Sequence, residues 1–159
     1  MKKIQLGKTR RGAKYSGETI VDDEDFERLN KYNWSLTHEG YATSLMGGKR
    51  RIKMHRFIMS AKFGQVIDHI NRDTSDNRKQ NLRVTTHTKN LYNRPKQKNN
   101  KSGYKGVFKS GKGWGVIITH NKKHYWLGSF QTKKEAAKTY NKSAKKYFGS
   151  FAYLNTIKS

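Results

Sequence analysis

The stretch "QVIDHINRDTSDNRKQNLRVTTHTKNLYNRP", residues 65–95, carries the pattern on which the fold turns. "QVIDHI" is short and β-branched, which predicts a strand. The polar loop "NRDTSDNRKQN" follows, built from residue types whose side chains bond to nearby backbone in turns. "LRVTT" predicts a second strand, and a helix is expected from about Thr86 to Arg94, ended by Pro95, the only proline in the chain. If that helix folds back onto the strand pair, the two ends of the stretch approach each other. The fold class implied is α+β.

Towards the N-terminus, "SGETIVDDEDFERLNKYNW" reads as a strand and then a short helix, with Asp22 to Asp25 near its start, where the helix dipole favours negative charge. "GYATSLMGGKRRIKM" predicts a hairpin around Gly47-Gly48. In "MHRFIMSAKFG", Met54, Phe57, Ile58 and Ala61 fall at helical spacing, with Gly64 as the expected stop. These are core positions, so His55 reads as a packed histidine rather than a ligand. Residues 1–60 are therefore expected to form a β/α region packed on the core of residues 61–95.

Towards the C-terminus, residues 96–103, "KQKNNKSG", predict a basic, flexible linker and a domain boundary. Residues 104–159 change pattern. "YKGVFKS", "GWGVIITHN" and "KHYWLGSF" are strand-length runs separated by turn chemistry at "GKG" and "HNKK". Alternation places Trp114, Val116 and Ile118 on one face and Gly115, Ile117 and Thr119 on the other. In "TKKEAAKTYNKSAKKYFG", Thr132 and Glu135 form a capping-box pattern, Ala136, Tyr140, Ala144 and Tyr147 make one stripe, and Gly149 stands at the C-cap. A small three-stranded antiparallel sheet with one helix packed across it is expected.

Charge limits the function classes. The 159 residues carry a net charge of +24, with a pI near 10.3. Such an imbalance opposes compaction by self-repulsion and suits a polyanionic partner. Seven acids fall in residues 18–39, Asp68, Asp73 and Asp76 follow, and none lies between Asn77 and Lys134. That uneven spread reads as an electrostatic footprint for phosphates, with a merely solvated lysine face as the bland alternative. No run approaches a membrane-spanning length, and "MKKIQLGKTRRG" has no apolar signal core. The chain has no cysteine, which excludes disulfides, thiolate nucleophiles and cysteine zinc sites. A soluble, intracellular, cytoplasmic protein is expected.

Within residues 66–90, Asp68 and Asn90 suit a hard divalent cation such as Mg²⁺, which takes one or two carboxylates plus amide, water and phosphate oxygens. His69 titrates near neutrality and can take a proton from water. Strand neighbours point to opposite faces, so residues 68 and 69 can serve one site only near a strand end or bulge.

The same stretch, with "DHI", the core "N-R-x-x-N-L-R" and a final asparagine at its expected distance, resembles the HNH endonuclease motif of phage and intron-encoded homing endonucleases. "VDDEDFERLNKYNW" and "MHRFIM" are similar to the region that often precedes it. The resemblance implies a ββα-metal (His-Me finger) nuclease core over residues 61–95 that hydrolyses phosphodiesters of double-stranded DNA. It casts His69 as general base, Asp68 and Asn90 as holders of one divalent metal ion (Mg²⁺, with Mn²⁺ as an alternative), and Asn81 as the brace of the loop that aims the imidazole. His87 is the rival to Asn90, three residues short of the matching position. The zinc-binding cysteine pairs of many members have no counterpart, so no structural zinc is expected. Asp73 and Asp76 read as turn caps. Arg72, Arg78 and Arg83 are candidate phosphate contacts, with solvated surface as the alternative.

Residues 104–159 resemble the APETALA2/ethylene-response-factor DNA-binding domain in "Y-K-G-V", "W-L-G-S-F", "E-A-A-x-x-Y" and the closing "F-G" and "L-N". In that family the sheet lies in the major groove. Phe108, Ser110 and Thr119 stand where the family carries base-contacting arginines, so bidentate guanine recognition is not expected to be copied. The expected DNA contacts are Lys105, Lys109, Lys112, Lys122, Lys123 and Trp126. A metal-dependent DNA endonuclease, acting as a monomer, is the leading expectation. A DNA-binding regulator with an inactive nuclease core and an RNA-binding protein are the rivals.

Overall fold

The computed structural model describes residues 1–7, 16–48 and 50–157, so the basic part of "MKKIQLGKTRRG" from residue 8 on and Lys49 of the expected hairpin lie outside the described residues. Contacts divide the chain into two units, Met1–Thr86 and His87–Ser159. Both mix small antiparallel sheets with helices, so the chain is α+β.

In the first unit, β1 (Lys2–Leu6) pairs antiparallel with β2 (Gly17–Val21), and α1 (Asp23–Asn30) follows directly. A three-stranded sheet runs β3 (Ser35–Leu36), β4 (Ala42–Met46), β5 (Arg50–Lys53). Gly47 and Gly48 turn between β4 and β5 with φ of 59° and 71°, the left-handed region that admits glycine without a Cβ clash. Then come α2 (Met54–Ile58) and the hairpin of β6 (Val66–His69) with β7 (Leu82–Thr85). Ile4, Leu6, Val21, Leu29, Trp34, Ala42, Met54, Ile58, Ile67 and Leu82 form one core, which fixes β6 against the N-terminal elements. Trp34 enters it with its indole N–H donated to the Leu29 carbonyl at 2.8 Å, so its polar edge is satisfied.

Helix α2 is shorter than its apolar spacing predicts. Ser60 adopts φ 46°, Ser60 N donates to Phe57 O, and Ala61 N donates to Arg56 O. That is a Schellman closure, and it ends the helix before Ala61 and well short of Gly64. The Arg56 guanidinium then holds the Lys62 and Gln65 carbonyls and turns the chain into β6.

The second unit opens with α3 (His87–Asn93). Strands β8 (Val107–Ser110), β9 (Gly113–His120) and β10 (Lys123–Phe130) form an antiparallel meander with β9 central. Helix α4 (Lys133–Phe148) crosses it, opened by the reciprocal bonds of Thr132 and Glu135 that the sequence predicts. Val107, Val116, Ile118, Ala136, Ala137, Tyr140, Ala144 and Phe148 make the core, against which Tyr92 of α3 also packs. Residues 96–103 end in a folded turn: Asn100 Oδ1 accepts from Ser102 Oγ and Gly103 N, and Ser102 is buried.

Candidate active site

Strand β6 ends at His69, opposite Leu82 of β7. A terminal strand position frees the backbone beyond it, and the chain turns at once: Ile70 N donates to Asn81 O, and Arg72 takes φ 68°. The loop of residues 70–81 is knitted from its own side chains. Asn81 Oδ1 accepts from Asn71 N at 2.9 Å, and its amide donates to Asp76 O at 2.8 Å, so this one residue ties both arms of the loop. Asp73 Oδ1 accepts from Ser75 N and Ser75 Oγ, a side-chain-closed turn. Asp76 takes Arg78 on both its oxygens, at 2.8 and 2.7 Å, and Asn71 Nδ2 at 3.0 Å. The acids of residues 18–39 help here: Asp22 accepts from Lys79 N, and Lys79 Nζ pairs with Glu24 and Asp25. The chain concentrates carboxylates in this region partly to anchor the loop.

The His69 ring is buried at 4% exposure, edge-on to His55 (centroids 5.0 Å, 86°) and 6.1 Å from the Tyr41 ring. Its Nε2 lies 3.3 Å from Asn77 Oδ1. Asn77 is held from the far side. Its Nδ2 donates to Thr19 Oγ1 at 2.8 Å and to Thr74 O at 3.2 Å, and its backbone N donates to Ile20 O. Thr19 Oγ1 in turn donates to Ser75 O at 2.7 Å, so it can only accept from Asn77. With both amide hydrogens spent, Asn77 presents an acceptor to the ring. Nε2 must then carry the proton, and a neutral ring keeps its lone pair on Nδ1.

Burial drives the His69 pKa below the ordinary imidazole value, against the opposing pull of the Asn77 bond and of the carboxylates of Asp68, Asp73 and Asp76. His55 is pushed further, down to about 3, by burial first and then by the charges of His69, Lys53 and Arg56. Both rings are therefore neutral at pH 7, and a neutral His69 is the form that accepts a proton. Sequence reasoning gave His55 a packed role without its neighbour, and gave Asn77, Tyr41 and Thr19 none. Asn77 does stand inside the quoted "N-R-x-x-N-L-R" core, and that was the available signal.

Asp68 sits directly opposite Arg83 across the hairpin, with Arg83 Nε at 2.9 Å and Nη2 at 2.7 Å from its Oδ2. Among the described residues no three His, Cys, Asp or Glu side chains gather to hold a metal ion. Asp68 is the one expected metal ligand in the first unit, and a hard cation of the Mg²⁺ kind takes one or two carboxylates and draws its other oxygens from water and substrate phosphate. Asn90 and its rival His87 belong to α3, in the second unit. Of the arginines expected to meet phosphate, Arg72 is exposed, whereas Arg78 and Arg83 each engage a carboxylate.

In the second unit the six expected contacts divide. Lys105 Nζ donates to Tyr92 O at 2.8 Å and Arg94 O at 2.7 Å, so it caps the C-terminal end of α3, where the helix dipole attracts a cation. Lys109 lies over the Trp114 ring beside Lys133, on the face that packs towards α4. Lys112, Lys122 and Lys123 are exposed at the two hairpin turns. Trp126 and Phe108 stand out from the other face, 54% and 42% exposed and 5.9 Å apart. Gly115 lies beneath them; a Cβ there would come within 2.7 Å of Trp126 and 2.9 Å of Phe108.

Comparison with known proteins bears on this constellation. Residues 53–92 match a family profile described as HNH endonuclease, a span that runs from α2 through the β6–β7 hairpin to α3. The chain is 32% identical over 136 residues to a protein of Acanthamoeba polyphaga mimivirus described as an uncharacterized HNH endonuclease, covering 81% of this chain and 70% of that one. No solved structure gives a significant match.

Proposed function

The chain belongs to the HNH endonuclease family, and on that premise we propose that its HNH core, residues 61–95, hydrolyses phosphodiester bonds of double-stranded DNA with His69 as general base. The observation that carries this reading is the Asn77 relay, which leaves the ring neutral with its lone pair on Nδ1. In this reading Nδ1 takes a proton from water as it attacks phosphorus, and the imidazolium formed is stabilised by Asn77 Oδ1 and the nearby carboxylates. Asn81 keeps the loop folded so that the ring and the substrate hold one geometry. Asp68 is the carboxylate that would hold the cation. When bound, a divalent ion of the Mg²⁺ type supplies Lewis acidity for the charge that builds on phosphate and leaving oxygen.

Residues 104–159, in this proposal, form an APETALA2-like module that grips the duplex. Support comes from the meander crossed by α4, the exposed Trp126–Phe108 face and the turn lysines Lys112, Lys122 and Lys123. Lys105 donates to the Tyr92 and Arg94 carbonyls, and Lys109, which is exposed, lies over the Trp114 ring. A second reading, a duplex-binding regulator whose core does not cut, rests on the deep burial of the His69 ring.

Incubation of the purified chain with supercoiled plasmid separates the two. Nicking or linearisation with Mg²⁺ that stops when EDTA is added is the expected result. Duplex binding with no scission in either condition would replace this reading with the regulator.

A further inference from the structure

The pairing of Arg83 with Asp68 raises a conflict that points beyond the assigned roles. The two residues face each other in register across β6 and β7, so the sheet itself delivers the guanidinium to the carboxylate. Both Nε and Nη2 converge on the single oxygen Oδ2, and the side chains are only 15% and 8% exposed. A hard cation bound at that carboxylate would meet a fixed positive charge already in place. At this burial, screening by water and salt is weak, so the two cations compete rather than share.

We propose that Arg83 is an exchangeable counterion that keeps Asp68 occupied until a DNA phosphate arrives. The phosphate offers the guanidinium a second planar, two-point partner, and Arg83 swings to it. Asp68 is thereby released to the divalent ion, and the same phosphate supplies it with further oxygen ligands. Arg83 thus acts as a positioning residue: it neutralises a buried carboxylate in the free protein and couples metal binding to DNA binding. The device suits a chain of charge +24, in which an unpaired buried carboxylate would cost stability and a resident dication would be repelled. Linkage makes the coupling reciprocal, so the cation tightens DNA by the same factor by which DNA tightens the cation. This inference rests on the assignment of Asp68 as the metal carboxylate.

The test measures Mn²⁺ binding by the loss of free-ion EPR signal, using the full chain in a His69→Ala background that keeps the duplex intact. The parent is expected to bind Mn²⁺ about 10-fold or more tightly with a short duplex than without, a coupling of ordinary allosteric size. Arg83→Gln should bind Mn²⁺ tightly without DNA and lose most of that dependence. Arg83→Lys, which keeps the charge but offers one point of contact, should fall between them and guards against a glutamine variant that fails to fold. Equal DNA-free Mn²⁺ affinities in parent, Arg83→Lys and Arg83→Gln would overturn the exchange. An Asp68→Asn arm separates the two layers. If it abolishes Mn²⁺ binding while the Arg83 variants change nothing, the exchange alone fails. If Mn²⁺ binds undiminished to Asp68→Asn, the metal assignment fails and takes the exchange with it.

Discussion

His69→Ala is expected to slow plasmid cleavage by about 10²–10⁴-fold, the usual contribution of a positioned general base, while duplex affinity stays close to that of the parent. The ring touches protein on the faces set by His55, Tyr41 and Asn77, and none of these is a cationic contact to DNA. Its loss should therefore appear in kcat with little change in KM, the signature of an interaction made only as the reaction proceeds. The cavity left by the imidazole would cost some stability, so melting of the variant belongs beside the rate. A folded variant that cuts at the parental rate would remove His69 from the chemistry. His55→Ala would then be the next measurement, since that ring lies edge-on to the first.

Gly106→Ala is expected to be the most damaging single substitution in the second unit. Gly106 has φ 74°, and a Cβ added there would fall inside the van der Waals shell of the Tyr140 ring and 2.7 Å from Ile117 O. Tyr140 is 2% exposed on the α4 stripe, so it has little room to withdraw. Left-handed strain and overpacking together should cost about 3 kcal/mol. For a unit of this size that lowers its melting temperature by roughly 12 °C or more. Gly111→Ala is the matched control: φ there is 54°, but no atom lies within 4 Å of the added Cβ. It pays only the backbone term, about 1 kcal/mol. Equal melting temperatures for the two variants in a thermal scan of the full chain would show that the close approach of Gly106 to Tyr140 is not what fixes glycine here.

What could be read from the sequence was local. Strands β6 to β10 declared themselves through β-branched runs and turn residues, and α4 through a capping box whose two partners are three residues apart. The end of α2 did not, because serine is not a residue that favours the left-handed conformation it adopts at position 60. The site divided in the same way. Asp68, His69 and Asn81 stand in one recognisable stretch, whereas Asn77 acquires its role from Thr19, 58 residues away. His55 read as packed, but nothing local says that it packs on His69. The Asp68–Arg83 pair depends on hairpin register, which an irregular loop does not specify in advance. Lys105 read as a DNA contact from the resemblance, and nothing local announces its bonds to the carbonyls of Tyr92 and Arg94.

The measurement that bears most directly on the chemistry is a two-bond ¹H–¹⁵N correlation spectrum of histidine-labelled protein at pH 7, with the His69 signals assigned by their loss in His69→Ala. The ring should be neutral, protonated on Nε2 and not on Nδ1, and it should stay neutral as the pH falls through 6.5, because burial depresses its proton affinity. An Nδ1-protonated tautomer, or an imidazolium already present at pH 7, would contradict the Asn77 relay and the role of His69 as base.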